Sequence, residues 1–193
     1  MIRVNPSVGQ ASLGVVPDRS AEFLPMFRTI IAFFAIAASM SALPAAAGDL
    51  AKPQGKVVLT VSGKIGAQNS AEGAQFDLAM LDALPSRVST VNTPWYDSKK
   101  TFEGPLGSAI LDAVEATGQT LRVVALNDYA ADIPVEDFRK FPVILATKLD
   151  GKAMPVREKG PLFVIYPFDA DASLFNEKYF NRSVWQVKAI EVR

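Results

Sequence analysis

Neither cysteine nor histidine occurs anywhere in the 193 residues. Their absence excludes most familiar catalytic centres before any motif is read. Ser-His-Asp and Cys-His nucleophile arrangements cannot form, nor can the usual His/Cys zinc sites. No disulfide can staple the fold, so a packed core must hold it unaided, which a 49% hydrophobic composition permits. A glycine-rich phosphate loop of the Walker or dinucleotide type is missing too. Twenty basic residues balance twenty acidic ones, and nucleic-acid binding calls for a basic footprint that such a chain does not have.

What is present begins with an address. Met26-Phe27-Arg28-Thr29-Ile30-Ile31 opens with one positive charge, continues into an apolar run and closes on Pro44-Ala45-Ala46-Ala47-Gly48. This is the order of a secretory signal with an Ala-x-Ala site, cleaved after Ala47. The apolar stretch from Ile30 to Met40 falls short of the ~20 residues that span a bilayer. Residues 1–25 show no periodic pattern and read as a disordered extension or as sequence upstream of a true start at Met26. Residues 26–47 are then the signal peptide and 48–193 one domain of ordinary size. Loss of the leader removes Arg3, Arg19 and Arg28 with Asp18 and Glu22, which leaves the domain close to neutral.

Within the domain, residues 56–63 form a β-branched run ending in Gly63, which predicts a first strand. Residues 75–85 read as a short helix, with Asp77 as its cap and Pro85 as its stop. Short strands are expected at 88–91 and 100–102, on either side of a loop holding Thr93-Pro94-Trp95-Tyr96-Asp97. Leu106, Ile110, Leu111 and Val114 recur at helical spacing, so 106–117 predicts an amphipathic helix whose apolar stripe is core, with Gly118 at its C-terminal cap. Strands follow at 121–126 and 129–133, then a helical turn at 134–138 with Pro134 at its opening position. Further strands are expected at 143–148, 162–166 and 184–192, with Asp150-Gly151 as a tight turn. Many strands, few short helices and no regular βαβ alternation describe an α+β domain with a mixed sheet.

Two carboxylate pairs, Asp128 with Asp132 and Asp169 with Asp171, are spaced as solvated surface pairs commonly are, and glycosidase-like chemistry is not the expectation. More informative is a set of aromatics in loops beside charged residues: Trp95-Tyr96-Asp97, Asn127-Asp128-Tyr129, Arg157-Glu158-Lys159, Tyr166-Pro167-Phe168-Asp169 and Tyr179 to Trp185. Aromatics at element ends can line a pocket mouth suited to a flat heteroaromatic ligand, stacked on rings and held at its edges by a carboxylate and an arginine. The same residues can equally close the core beneath long loops.

From Thr101 onward the succession of segments resembles the molybdopterin-binding domain of the sulfite oxidase family. The resemblance rests on Phe102-Glu103-Gly104-Pro105-Leu106 before a helix, Asn127-Asp128-Tyr129-Ala130-Ala131-Asp132-Ile133-Pro134 before Val143-Ile144-Leu145-Ala146, Asp150-Gly151-Lys152-Ala153-Met154-Pro155, Lys159-Gly160-Pro161-Leu162, and the ending Asn181-Arg182-Ser183-Val184-Trp185-Gln186. It implies a sulfite oxidase-like fold. In that family a cysteine thiolate binds molybdenum from the region that is here Thr90 to Thr93, and this chain has no cysteine. Arg182 stands where the family's phosphate-binding stretch usually has lysine.

A Cys-less exported subgroup with the Asn-Arg-Ser-Val-Trp-Gln ending resembles pterin-binding periplasmic regulators that act on the outer domain of membrane signalling enzymes. The resemblance therefore implies a non-catalytic module whose ligand is a pterin, not the molybdenum cofactor, and whose partner is such an enzyme. A pterin's donor edge would meet Asp128 or Asp97 and its carbonyl Arg157 or Arg182, with Trp95, Tyr129, Phe168 or Trp185 stacking on the rings. Two alternatives stay open: a molybdenum-cofactor oxidoreductase using Ser89, Thr90 or Asn92 as an oxygen ligand, and a ligand-free interaction domain.

Overall fold

The computed structural model describes residues 50–193, so both the 1–25 extension and the 26–47 signal lie outside the described residues. Eleven strands and four short α-helices are described: β1 Leu59–Gly63, β2 Ala74–Phe76, α1 Leu78–Asp82, β3 Ser86–Val91, β4 Lys100–Pro105, α2 Gly107–Ala113, β5 Thr120–Ala125, β6 Ala130–Pro134, α3 Val135–Lys140, β7 Ile144–Ala146, β8 Lys148–Leu149, β9 Lys152–Ala153, β10 Phe163–Ile165, α4 Glu177–Arg182 and β11 Val187–Val192. The main sheet runs β2-β1-β11-β5-β6, and β3-β4-β8-β9 and β10-β7 form two smaller ones. Only β1 and β11 pair in parallel within the main sheet, which makes it mixed. This is the α+β architecture that the pattern predicts.

Alternation drives the main sheet. In β5, Leu121, Val123 and Ala125 are buried while Thr120, Arg122 and Val124 are not, the period of two that a one-sided strand requires. β11 repeats the device with Val187, Ile190 and Val192, bent by an irregularity between Val187 and Ala189. Each of the buried Leu, Val and Ile side chains contributes about 1.5–3 kcal/mol. They join Phe76, Phe102, Phe138 and Phe163 in one continuous core.

The element ends show where tertiary contacts shift the expected limits. Asp77 does cap the first helix, accepting from the Met80 amide at 2.9 Å. Yet α1 begins only at Leu78, because Ala74–Phe76 pairs with β1 as an edge strand. The second helix stops at Ala113, not at 117. Glu115, at φ 51°, takes the left-handed position expected of Gly118, and the Ala116 and Glu115 amides close the end on Leu111 and Asp112 carbonyls. Gly118 instead lies against the C-terminus, where a Cβ would come 2.3 Å from the Arg193 carbonyl oxygen. Pro134 precedes α3 as its cap residue. Asp150 and Gly151, at φ 49° and 76°, make the tight turn between β8 and β9.

The largest departure is α4. Tyr179 to Arg182, expected to lie in a loop, belong to a helix that starts at Glu177 and is capped by Asn176 accepting from the Lys178 amide at 3.0 Å. Its signals are in the sequence: Asn176 at the cap, Glu177 in the first turn and Arg182 in the last.

Candidate functional site

Three pieces of chain converge on one cleft of about 270 Å³. The first is the loop between β3 and β4, which delivers Trp95. That ring packs edge-on against Phe163 at 5.2 Å, Phe180 at 6.0 Å and Trp185 at 6.1 Å between centroids, so three neighbours restrain it.

The second is the β5–β6 turn. Asp128 takes φ 64° there, a left-handed position Asp tolerates better than most residues, and its amide donates to Ala125. The Asn127 side-chain oxygen accepts from the Tyr129 amide at 3.2 Å. These bonds set Tyr129 at the cleft, where its hydroxyl donates to the Asn181 carbonyl at 3.2 Å.

The third is α4 and the segment after it, which supply Phe180, Asn181, Ser183 and Trp185. Val164 donates to the Val184 carbonyl, and Phe163 bridges Trp185, so β10 holds this segment in place. Trp95 and Trp185 are the chain's only two tryptophans, and both line the cleft. Ring surface dominates the lining, and the polar side chains there are neutral: the amides of Asn127 and Asn181 and the Ser183 hydroxyl. Ser183 donates to Tyr179 at 2.9 Å, whereas the Asn181 amide has no hydrogen-bond partner among the described residues. Positive charge reaches the site from Lys159, whose ammonium lies 5.5 Å from the Trp185 ring and 5.2 Å from that of Tyr96.

Of the eight residues named from sequence, the structure brings Trp95, Tyr129 and Trp185 together. Asp128 sits on the same turn, but its carboxylate faces solvent and accepts from Lys188 at 2.7 Å, a hydrogen bond that holds it below the usual carboxylate range. Asp97 is exposed on the Trp95 loop, outside the cleft lining. Arg157 is 84% exposed on a 3-10 turn, beside Glu158. Phe168 is buried against Tyr166, Phe175 and Phe180, so it backs the cleft wall without reaching the opening. Arg182 turns inward to donate to Asp137 at 2.6 Å, and the Tyr166 hydroxyl donates to the same oxygen at 2.7 Å. Phe180 and Asn181 belong to the Tyr179 to Trp185 stretch that the sequence marks but are not among the eight named residues, and it is α4 that places both at the cleft. The carboxylate pairs separate as well: Asp132 meets Arg122, Asp169 meets Arg87 and Ser89, and Asp171 caps Ser173.

No family model and no curated protein matches this chain. Among solved structures, the sulfane dehydrogenase SoxCD from Paracoccus pantotrophus is similar, with a TM-score of 0.50 at 15% identity over 69% of this chain. The fold is the sulfite oxidase-type one. This chain matches 37% of the length of that protein's chain.

The cofactor implied by that fold family does not fit the residues present. No thiol exists to ligate molybdenum. Ser89 is buried, donates to Asp169 at 2.8 Å and accepts from Arg87 at 2.9 Å. The Thr90 hydroxyl pairs with that of Thr101 at 3.0 Å, Asn92 is exposed, and Thr93 is a buried neutral hydroxyl without a partner. Among the described residues no three His, Cys, Asp or Glu side chains gather as a metal-binding group.

Proposed function

We propose that this protein is a non-catalytic, exported module that binds a pterin in the aromatic cleft and reports its occupancy to the outer domain of a membrane signalling enzyme. The observation that carries this reading is the convergence of Trp95, Tyr129 and Trp185, from three separate chain segments, on a cleft with amide groups at its edge. At about 270 Å³ it lies just below the range of about 300–1,000 Å³ common for ligand pockets, so it suits a two-ring head group and not a whole dinucleotide. Ring contacts worth about 0.5–1.5 kcal/mol each beyond burial would favour a flat heteroaromatic. The Asn127 and Asn181 amides can both donate and accept, which matches a pterin edge with mixed donors and acceptors. Without cysteine or histidine the chain offers no thiolate or imidazole for chemistry on the bound ring.

Because both tryptophans line the cleft, selectively excited tryptophan fluorescence reports on it. Titration with a tetrahydropterin is expected to quench that emission saturably, and ligand at 100 times its Kd to stabilise the fold by about 2.7 kcal/mol. Trp185→Ala and Tyr129→Ala are each expected to weaken binding about tenfold, a loss of roughly 1.4 kcal/mol. Absence of both quenching and a thermal shift would leave a ligand-free interaction domain as the reading.

A further inference from the structure

A second concavity, of about 510 Å³, shares no lining residue with the cleft. It opens at the start of the β1–β11 ladder. β1 and β11 pair from Thr60 and Ala189 onward, so Lys56 and Val57 on one side and Val187 and Lys188 on the other lie before the ladder starts. β11 is irregular at that same place, its register with β5 shifting between Val187 and Ala189. Among the described residues neither Lys56 nor Val57 has a backbone hydrogen-bond partner, whereas the next amide, Val58, donates to Phe76.

The groove is apolar and positively rimmed. Val57, Leu126 and Val156, at 37%, 45% and 51% exposure, are three of the seven exposed large apolar side chains among the described residues, and all three line it. Its charged lining residues are Lys56 and Lys188, with no carboxylate. Lys188 leans out to Asp128, while Lys56 has no ion pair among the described residues.

We propose that this groove docks an extended segment of a partner protein in which apolar residues alternate along the chain and acidic residues flank them. Unpaired backbone beside a sheet is satisfied by another strand and not by a helix, whose own backbone groups are already paired. Alternate side chains of such a strand would enter the apolar lining, and an acidic flank would meet Lys56, with Lys188 shared between the partner and Asp128. Charge argues against a second copy of this chain, because a two-fold contact sets the same lysine-rimmed patch against itself.

The test is fluorescence anisotropy of the purified protein with a labelled nine-residue peptide, acidic at both ends and alternating Val and Thr between. A Kd on the order of 10–100 µM is expected, as befits a short, weakly ordered segment. The same peptide with lysines for its acids, and the variants Lys56→Glu and Leu126→Asp, should each bind at least tenfold more weakly, with unchanged thermal midpoints. No binding, equal binding of both peptides, or indifference to Lys56→Glu overturns the proposal. So does a dimer in light scattering that Leu126→Asp abolishes, or binding to phosphatidylglycerol vesicles without binding to the peptide. Tetrahydropterin quenching in Lys56→Glu should match the parent protein, so failure of the groove and failure of the cleft are read separately.

Discussion

Arg182 illustrates how one residue's role is decided by what it touches. Residue type and position suit it to a ligand's carbonyl or phosphate, yet its guanidinium is directed at Asp137, a carboxylate 8% exposed, which also accepts from Tyr166. Burial, then the adjacent Asp137 carboxylate, holds the Tyr166 hydroxyl protonated far above the usual tyrosine range. Removing one partner of a buried pair strands the other charge, at a cost of about 3–5 kcal/mol. Arg182 keeps some solvent contact, its side chain being 19% exposed, so Arg182→Ala should sit near 3 kcal/mol, the lower end of that range. Urea unfolding would measure this loss. Pterin affinity at a temperature where the variant is folded should change less than threefold, whereas Arg182→Lys should recover part of the stability. A large loss of affinity with unchanged stability would return Arg182 to the ligand.

Among the elements, α4 has the most consequence. Six residues make fewer than two helical turns, far too few to be helical in isolation. It persists because Asn176 caps it, Phe180 packs on Trp95, Phe168 and Phe175, and Arg182 ties it to α3 through Asp137. Asn176→Ala should cost about 1 kcal/mol, and tetrahydropterin affinity measured where the variant is folded should, as for Arg182→Ala, change less than threefold. A thermal melt and the fluorescence titration check both. β4 shows the opposite limit, where backbone proximity selects the residue: a Cβ on Gly104 would lie 2.3 Å from the Leu145 carbonyl oxygen. Gly104→Ala must therefore push β4 away from β7, and a thermal midpoint well below the parent's is expected.

For the whole molecule, charge linkage sets the response to pH. Asp77 is held below its usual range by the Met80 and Gly55 amides, Asp150 by the Thr101 amide and Lys100, and Asp171 by Ser173. For Asp169 burial acts upward, but the hydrogen bonds from Ser89 and Arg87 outweigh it and the net direction is down. A lowered folded-state pKa means that the stabilisation is complete above the ordinary carboxylate value of about 4 and is lost as pH falls through the lowered value. The thermal midpoint should therefore hold nearly level from pH 8 to 5, where histidine would titrate in other proteins and none exists here, and drop below pH 4. Scanning calorimetry across pH 3–8 tests this, and Asp77→Asn should flatten the acid limb.

Local signals in the chain determined the α+β class, most strand positions, the Asp77 cap and the Asp150-Gly151 turn, because each depends on periodicity or on one residue's own backbone preference. The missing cysteine likewise excluded a thiolate-bound metal from composition alone. Tertiary structure decided the rest. Gln75 and Phe76 became strand because β1 offered an edge, and Glu115 took the helix end while Gly118 packs beside Arg193. Of the aromatics that alternate with charge in loops, Trp95, Tyr129 and Trp185 share a cleft while Phe168 backs it, and spacing cannot separate these fates. Which residues meet across 30 to 90 positions of chain depends on how the sheets stack, and that information lies in packing rather than in any local stretch of sequence.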